Sequence, residues 1–514
     1  MRRLRRLLPS LVPILVIAGL LGLFYLFAPH YSTVLWWEFR EALFWIVPIA
    51  GLLLLWVILA GATAAVSDRR SYGSGFSEVA VGGLSVLVGG AALVAVIWWL
   101  VSTHGYEKAR AYFTASAKVT TDATPAFGQR APFPVAEAQA RPNLGDVSGD
   151  VVDTTYLPQR GSFASLVKRR GWASSGYEVT LDQEVPLAGG RGDGTTCTFD
   201  RQNAARRDGG WWHHNLARAL HNERRHVRYD SGDLYSYCDG DRPVVVIPLK
   251  KQIGWMVVSE RPAGIALYDG RTGEIEFRDT ADGLPGPAYP LSLAAKQRDA
   301  LQASGGYWDY RGGRSGWVAS EDDTNSGNNT EFVLPTTAAG NRPSYVTMLT
   351  GRGDATAISA LAVVDGRVRS GELATIVVHR TKPGWVSPDA VSSRIKADYQ
   401  DLPNWQNQKI MEIAPISSSR WVATIGNGQN VLYRVQGSGD LRGENPTCLV
   451  RADGSTIRCG TLADQDGRGV GTEYGSGSPP GTPSDLSKLT DQELADLQRK
   501  VADEVAKRLE KGTD

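Results

Sequence analysis

Charged side chains are absent from three long stretches of this chain, at 7–27, 42–66 and 79–101. A helix rises about 1.5 Å per residue, so ~20 apolar residues cross the ~30 Å hydrocarbon layer of a bilayer. All three stretches reach that length, which predicts a three-helix N-terminal transmembrane anchor. None of them holds an Asp, Glu, Lys, Arg or His, so the buried titratable groups on which transporters depend are missing. The chain also lacks a phosphate-binding loop, a Gly-x-Ser-x-Gly elbow, a His-Glu-x-x-His helix and any Cys-x-x-Cys pair. No cofactor and no metal is therefore expected. A net charge of +1 supplies no drive toward nucleic acid.

The basic residues around these stretches set their orientation. Arg2, Arg3, Arg5 and Arg6 precede the first, and Arg69 and Arg70 lie between the second and third. The loop after the first has only Arg40, between Glu38 and Glu41. Basic residues near span ends stay cytoplasmic, which puts the N-terminus inside and the chain beyond 103 outside, although Lys108, Arg110 and Lys118 pull the other way. The first stretch is longer than the ~7–15-residue core of a signal peptide and ends in aromatics, so it reads as a retained span. Trp36, Trp37, Trp98 and Trp99 mark interfacial belts. Gly82, Ser85, Gly89 and Ala92 align on one face of the third span, which suits close helix packing within the anchor rather than a dimer seam.

Residues 103–145 carry Pro125, Pro132, Pro134 and Pro142 and read as a stalk. From 146 to 463 the pattern is a β-rich (α+β) extracytoplasmic region of one or two units. Short β-prone runs fall at 244–249, 255–259, 264–268 and 274–277, with Asp269-Gly270 as a hairpin signal. Helices are expected at 211–227, 291–303 and 388–399. Two strands, Asp-Gly-Arg and a strand opening at Gly-Glu recur at 243–277 and 330–378. A duplicated unit and a chance likeness of hairpins both fit that recurrence.

The four cysteines, Cys197, Cys238, Cys448 and Cys459, all lie in this region and fit two disulfides in an oxidising compartment. A turn at Asp453-Gly454 sets Cys448 opposite Cys459, leaving Cys197 for Cys238. A Gly, Ser and Pro linker at 464–489 then leads to an amphipathic helix at 490–511, opened by the capping box Thr490/Glu493. Its stripe of Leu494, Leu497, Val501, Val505 and Leu509 suits self-association, a protein partner, or packing on the same chain.

Candidate chemistry is sparse. His213, His214, His221 and His226 cluster beside Trp211 and Trp212, and His214 and His221 would share a helical face. Ligand spacing is wrong for a metal, and Arg224 and Arg225 repel a cation. Arg-Gly-Asp at 191–193 and 352–354 reads as turn chemistry. The acidic loop 321–329 departs from the order of a calcium loop, and 328–330 is a glycosylation sequon. Two functions follow from different classes. One is a membrane-anchored, non-enzymatic binding or organising protein at the cell envelope. The other is a hydrolase-like envelope enzyme with a site assembled from distant residues, among them Asp200, His213 and His214. A deep pocket gathering those residues with a carboxylate favours the enzyme, whereas a groove without them favours the binder.

Tyr237-Cys238-Asp239-Gly240 running into 244–255, with 290–299 and 395–406, resembles uncharacterised multi-pass membrane proteins encoded by bacteriophages of actinobacteria. The likeness covers most of the chain, and the excess of arginine over lysine suits a GC-rich genome of that kind. It implies a membrane location and a phage source and carries no catalytic or binding residue.

Replacing Leu497 and Val501 together with aspartate puts two charges on the C-terminal stripe, each costlier than the packing it removes. Loss of an oligomer or partner in detergent, with unchanged ectodomain melting, is the expected outcome. Unchanged association would leave the stripe without an intermolecular role.

Overall fold

The computed structural model describes residues 16–461, apart from 69–74, 172–173, 188–189, 321–330, 338–339, 368, 441–445 and 452–453, and leaves aside the side chains of 55–56 and 58–87. The N-terminal arginines, Arg69 and Arg70, the acidic loop with its sequon, the linker and the C-terminal stripe lie outside the described residues. Everything below belongs to one compact unit, Met1–Leu462.

Helix α1 (Val16–Phe27) meets α2 (Pro29–Asp68) at a 117° bend. Pro29 explains the break, since it has no N–H and its ring clashes with the carbonyl four residues back. Helix α3 spans Gly75–Ser116. Among the described residues one helix, Val88–Ser116, is long and apolar enough to cross a membrane, and α1 with Pro29–Leu54 passes only as a bent pair. Leu21 and Val94 are 62% and 67% exposed, in company with most of their apolar neighbours. A contiguous apolar surface of this extent is stable against lipid rather than water. Of the small-residue stripe, Gly82 and Ser85 fall among the undescribed side chains, Gly89 is half-buried and Ala92 is exposed. The α2 and α3 helices meet near the body, where Lys108 pairs with Glu41 at 3.7 Å and Phe44 lies 4.1 Å from His104 between ring centroids.

The expected stalk is instead built into the body. Helix α3 passes directly into β1 (Ala117–Thr120), which pairs in parallel with 376–379. Further on, α4 (Phe133–Leu144) buries Val135, Ala136, Gln139, Ala140 and Leu144. The prolines do not prevent it: Pro134 sits in the first turn, where an N–H is not needed, and Pro142 sits in the last turn.

Among the described residues the region is β-rich, with four sheets, antiparallel apart from the β1 pairing, and a few helices. The first sheet is the meander β2 (Asp150–Leu157), β3 (Ser162–Lys168), β4 (Tyr177–Gln183) and β5 (Gly194–Thr198). After α5 (Leu216–Glu223) comes the second, β6 (Tyr235–Asp239), β7 (Arg242–Ile253), β8 (Ser259–Asp269) and β9 (Ile275–Arg278). Helices α6 (Leu291–Asp299) and α7 (Tyr307–Arg311) precede the third sheet. It contains β10 (Trp317–Ala319), β11 (Phe332–Thr336), β12 (Arg342–Gly351), β13 (Ile358–Asp365), β14 (Ile376–Trp385) and β1. Helix α8 (Pro388–Asp398) leads to the fourth, β15 (Lys409–Pro415), β16 (Arg420–Gly426), β17 (Val431–Ser438), β18 (Cys448–Val450) and β19 (Thr456–Cys459).

The four sheets contact one another in a closed circuit. The Cys197–Cys238 disulfide joins the first to the second, and by chain entropy its 41-residue span is worth about 4 kcal/mol. The second meets the third where Gly371 N, between β13 and β14, donates to Pro262 O of β8 at 2.8 Å. A shared core that includes Phe332, Met348, Ile413 and Trp421 joins third and fourth. The fourth returns to the first through Val431, Phe163 and Tyr156.

Cys448 and Cys459 stand opposite each other and are bonded. A bulge leaving Ile457 unpaired, and not a simple two-residue turn, sets that register. The second and third sheets also share a register. Val244 faces Asp269 as Ser344 faces Asp365, and Tyr268 faces Ile275 as Val364 faces Ile376. Gly270 N donates to Pro243 O and Gly366 N to Pro343 O, both at 2.8 Å. The strand matching β7 is thus β12, not the expected run from 331. A Cβ on Gly270 would meet Pro243 and Phe199 within 2.7 Å, so this turn requires glycine.

The body grips the helices where His221 meets His30, Nδ1 to Nδ1, at 3.0 Å. His221 Nε2 lies 2.8 Å from Val227 O and so carries the proton, leaving Nδ1 to accept from His30. Burial, reinforced by His30 and Arg228, lowers the His221 pKa from 6.5 to about 4. The unfolded chain therefore takes a proton that the folded one refuses. The stabilisation is complete above pH 6.5 and is lost as pH falls toward 4, by up to about 3 kcal/mol. Urea midpoints in detergent should fall over that window, and His221→Gln should flatten the decline; an equal decline in the variant would assign it to other groups.

Candidate functional site

A wide groove of about 870 Å³ lies over the second sheet. Its floor follows the two-residue period of a pleated sheet: Tyr237 and Asp239 from β6, Arg242 and Val244 from β7, Leu267 and Asp269 from β8, Glu276 and Arg278 from β9. Arg160 from the β2–β3 turn, Asn203 and Arg206 after β5, and Glu223 at the end of α5 form its walls. The turn 270–273 forms part of the rim. Asp269 holds that turn by accepting from Arg271 N at 2.7 Å and Thr272 N at 3.0 Å.

The groove's charges are largely matched. Arg242 bonds Asp239 and, at 3.1 Å, Asp269, while Arg278 bonds Glu276 at 2.6 Å. Arg160 lies over the Tyr237 ring at 5.2 Å and pairs with Asp182 at 2.9 Å. Burial alone would raise the Asp269 carboxyl, but the Thr272 and Arg271 amides and Arg242 outweigh it and hold it low. The Arg278 hydrogen bond holds Glu276 low as well. Carboxylates held ionised accept hydrogen bonds but make poor proton donors. Among the described residues no Ser, Cys or His lines the groove.

The residues that the sequence offers to an enzyme, Asp200, His213 and His214, do not reach this groove. Asp200 is a turn cap, accepting from the amides of Gln202 and Asn203. The His213 and His214 rings lie 4.2 Å apart, tilted at 52°, and His214 Nδ1 bonds Ala205 O. The expected helix 211–227 is broken at Asn215, whose side chain caps α5 by accepting from Arg218 N. His214 and His221 therefore share no helix face. Among the described residues no group of three or more His, Cys, Asp or Glu is placed to hold a metal. The Arg-Gly-Asp arginines are occupied internally, Arg191 by Pro142 O and Arg352 by Tyr310 O.

Sequence pattern gives no sign of a buried cluster beside α6. Lys250, 2% exposed, donates to Asp230, to Ser292 Oγ at 2.9 Å and toward Glu260 at 3.4 Å. Ser292 donates to Asp233 at 2.6 Å. The contact resembles a Ser–Lys dyad, but an ammonium has three donors and no acceptor, and here acceptors surround it. Ser292 directs its proton to Asp233 and not to Lys250. Two carboxyls, Asp153 and Glu331, are pushed up to about 7 by burial, and neither lines the groove.

No family model, curated protein or solved structure matches this chain.

A fluorophosphonate probe, which labels activated serines, should leave the purified protein unlabelled. Labelling that disappears in Ser292→Ala would make the cluster a nucleophilic centre.

Proposed function

We propose that this chain is a multi-pass, membrane-anchored and non-enzymatic protein that receives a polar partner at the extracytoplasmic face of the cell envelope. The observation that carries this reading is the groove: its Asp269 and Glu276 are held ionised, Arg160, Arg242 and Arg278 are paired with carboxylates, and no Ser, Cys or His among the described residues lines it. Such a surface offers fixed hydrogen-bond donors and acceptors to a hydrated, charged or hydroxyl-rich partner. An apolar small molecule would find little to bury there. The groove's Arg242 and Asp269 lie at the far end of the long β7–β8 hairpin from the tip that touches α2. At ~3.3 Å per residue that is a reach of roughly 35 Å.

Two further observations support the topology. The start of α2 and the end of α3 pack on the same body, as two crossings between them require, and both disulfides fit an oxidising compartment. The shared register of the second and third sheets favours a duplicated unit. The resemblance to phage-encoded membrane proteins is compatible with this location, and the C-terminal stripe offers a second contact for a protein partner. A hydrolase built on Ser292 is the competing reading, favoured only by its contact with Lys250.

A photo-crosslinking residue at Thr272, on the groove rim, should give a discrete adduct in intact cells. That adduct should vanish when Glu223 and Glu274 become lysine. A reporter active only outside the cytoplasm, fused after residue 463, should be active. An active cytoplasmic reporter there would overturn the topology, and absence of any groove adduct would remove the binding site.

A further inference from the structure

The β7–β8 hairpin ends in a turn that is costly in water. Gly254 is at φ +84°, Met256 at φ +64°, and Val257 N donates to Trp255 O at 2.7 Å. A non-glycine residue in the left-handed region costs roughly 1–2 kcal/mol. Turn tips usually carry Gly, Asn, Asp or Ser, yet this one presents Trp255, 65% exposed, and Met256, 40% exposed. The expected strand at 255–259 is this turn, and β8 begins only at Ser259.

The tip is fixed against the start of α2. Arg40 donates to Gln252 O at 3.1 Å and to Gly254 O, and its guanidinium lies 5.3 Å from the Trp255 ring centroid. Trp36 meets Trp255 edge-on at 6.0 Å, and Gln252 donates to Trp37 O at 3.3 Å. A second element does the same at the α3 side. Tyr307 of α7 donates to Ser102 Oγ at 2.9 Å, and the next residue, Trp308, is 71% exposed. Ser102 follows the exposed Trp98 and Trp99 by one helical turn. The hairpin tip therefore sets a bare tryptophan against Trp36, and α7 carries a bare tryptophan next to the residue that holds α3 one turn beyond Trp98 and Trp99.

We propose that the Trp255–Met256 tip and Trp308 sit in the headgroup layer of the bilayer that holds the helices, so that the body lies on the membrane rather than standing off it. The occupant is the lipid interface because the patch is continuous with the lipid-exposed helices. Indole rings, amphipathic and flanked by arginine, favour that layer. The inference rests on the membrane-anchored reading above.

Every cysteine is disulfide-bonded, so an introduced one can be labelled alone. Nitroxides at Trp255→Cys, Met256→Cys and Trp308→Cys are compared in lipid nanodiscs with Val94→Cys in the apolar helix and Thr272→Cys on the groove rim. Collision with an aqueous nickel chelate should be several-fold weaker at the three tip positions than at Thr272, with oxygen collision raised. Met256→Cys serves if loss of either indole disturbs folding. Tip positions as open to the chelate as Thr272, with Val94 still protected, would overturn the docking and leave the anchor intact. An exposed Val94 would instead overturn the anchored reading.

Discussion

A long helix must satisfy its last backbone groups somewhere, and α3 does so without a linker. It runs to Ser116 and continues into β1, whose pairing with β14 makes the third sheet an extension of the helix. Tyr112, in the last turns, accepts the amide of Glu260 at 2.7 Å. Lys296 bonds the Glu260 carboxylate at 2.6 Å. One helix is thus tied to the second sheet, α6 and the third sheet by its last turns and the strand that continues it. The stalk expected from proline content would have let the body swivel, and this arrangement does not.

Rigidity at the helix matters only if the body is itself closed, and the Arg130–Glu412 pair does much of the closing. Two parallel bonds of 2.9 Å join the side chains, both almost fully buried. Arg130 also donates to Val333 O at 2.9 Å and lies 4.4 Å over Phe133 and 5.9 Å from Tyr156. One guanidinium therefore holds the first, third and fourth sheets together. Removing a single partner of such a buried pair strands the other charge, at roughly 3–5 kcal/mol. The pair's worth lies in fixing which sheets meet.

Features set by local chemistry are legible in the sequence. Apolar length shows up as a run of residues, helices at 291–303 and 388–399 show as periodic segments, and the closeness of Cys448 and Cys459 shows as a hairpin, although the bulge that sets their register does not. Features decided by tertiary contact are not. Pro134 looks like a breaker because nothing local says it begins a helix. The 255–259 run looks like a strand because tryptophan and valine favour strands, whereas contact with Arg40 and Trp36 makes it a turn. The groove draws alternate residues from four strands and loops between 160 and 283. A faint signal exists in the opposite charges at alternate positions, Asp239, Arg242, Asp269, Glu276 and Arg278, but a solvated sheet face reads the same way.

The long β7–β8 hairpin joins these features into one mechanical object. Its tip is clamped by Arg40 at the helices, the stretch next to the tip carries Lys250 and Glu260 in the buried charge cluster, and its far end holds Arg242 and Asp269 in the groove. Backbone pairing runs along both strands, with a single register shift between Pro248 and Lys250. A sheet of this kind transmits displacement along its strands and resists bending only where its faces are packed, and the groove half of this hairpin is flanked by β6 at 242–246 and by β9 at 265–268. On the membrane-anchored reading proposed above, a partner seated in the groove would be held at a set distance from the helices. That is a property a binding or organising protein needs and a freely tethered enzyme does not.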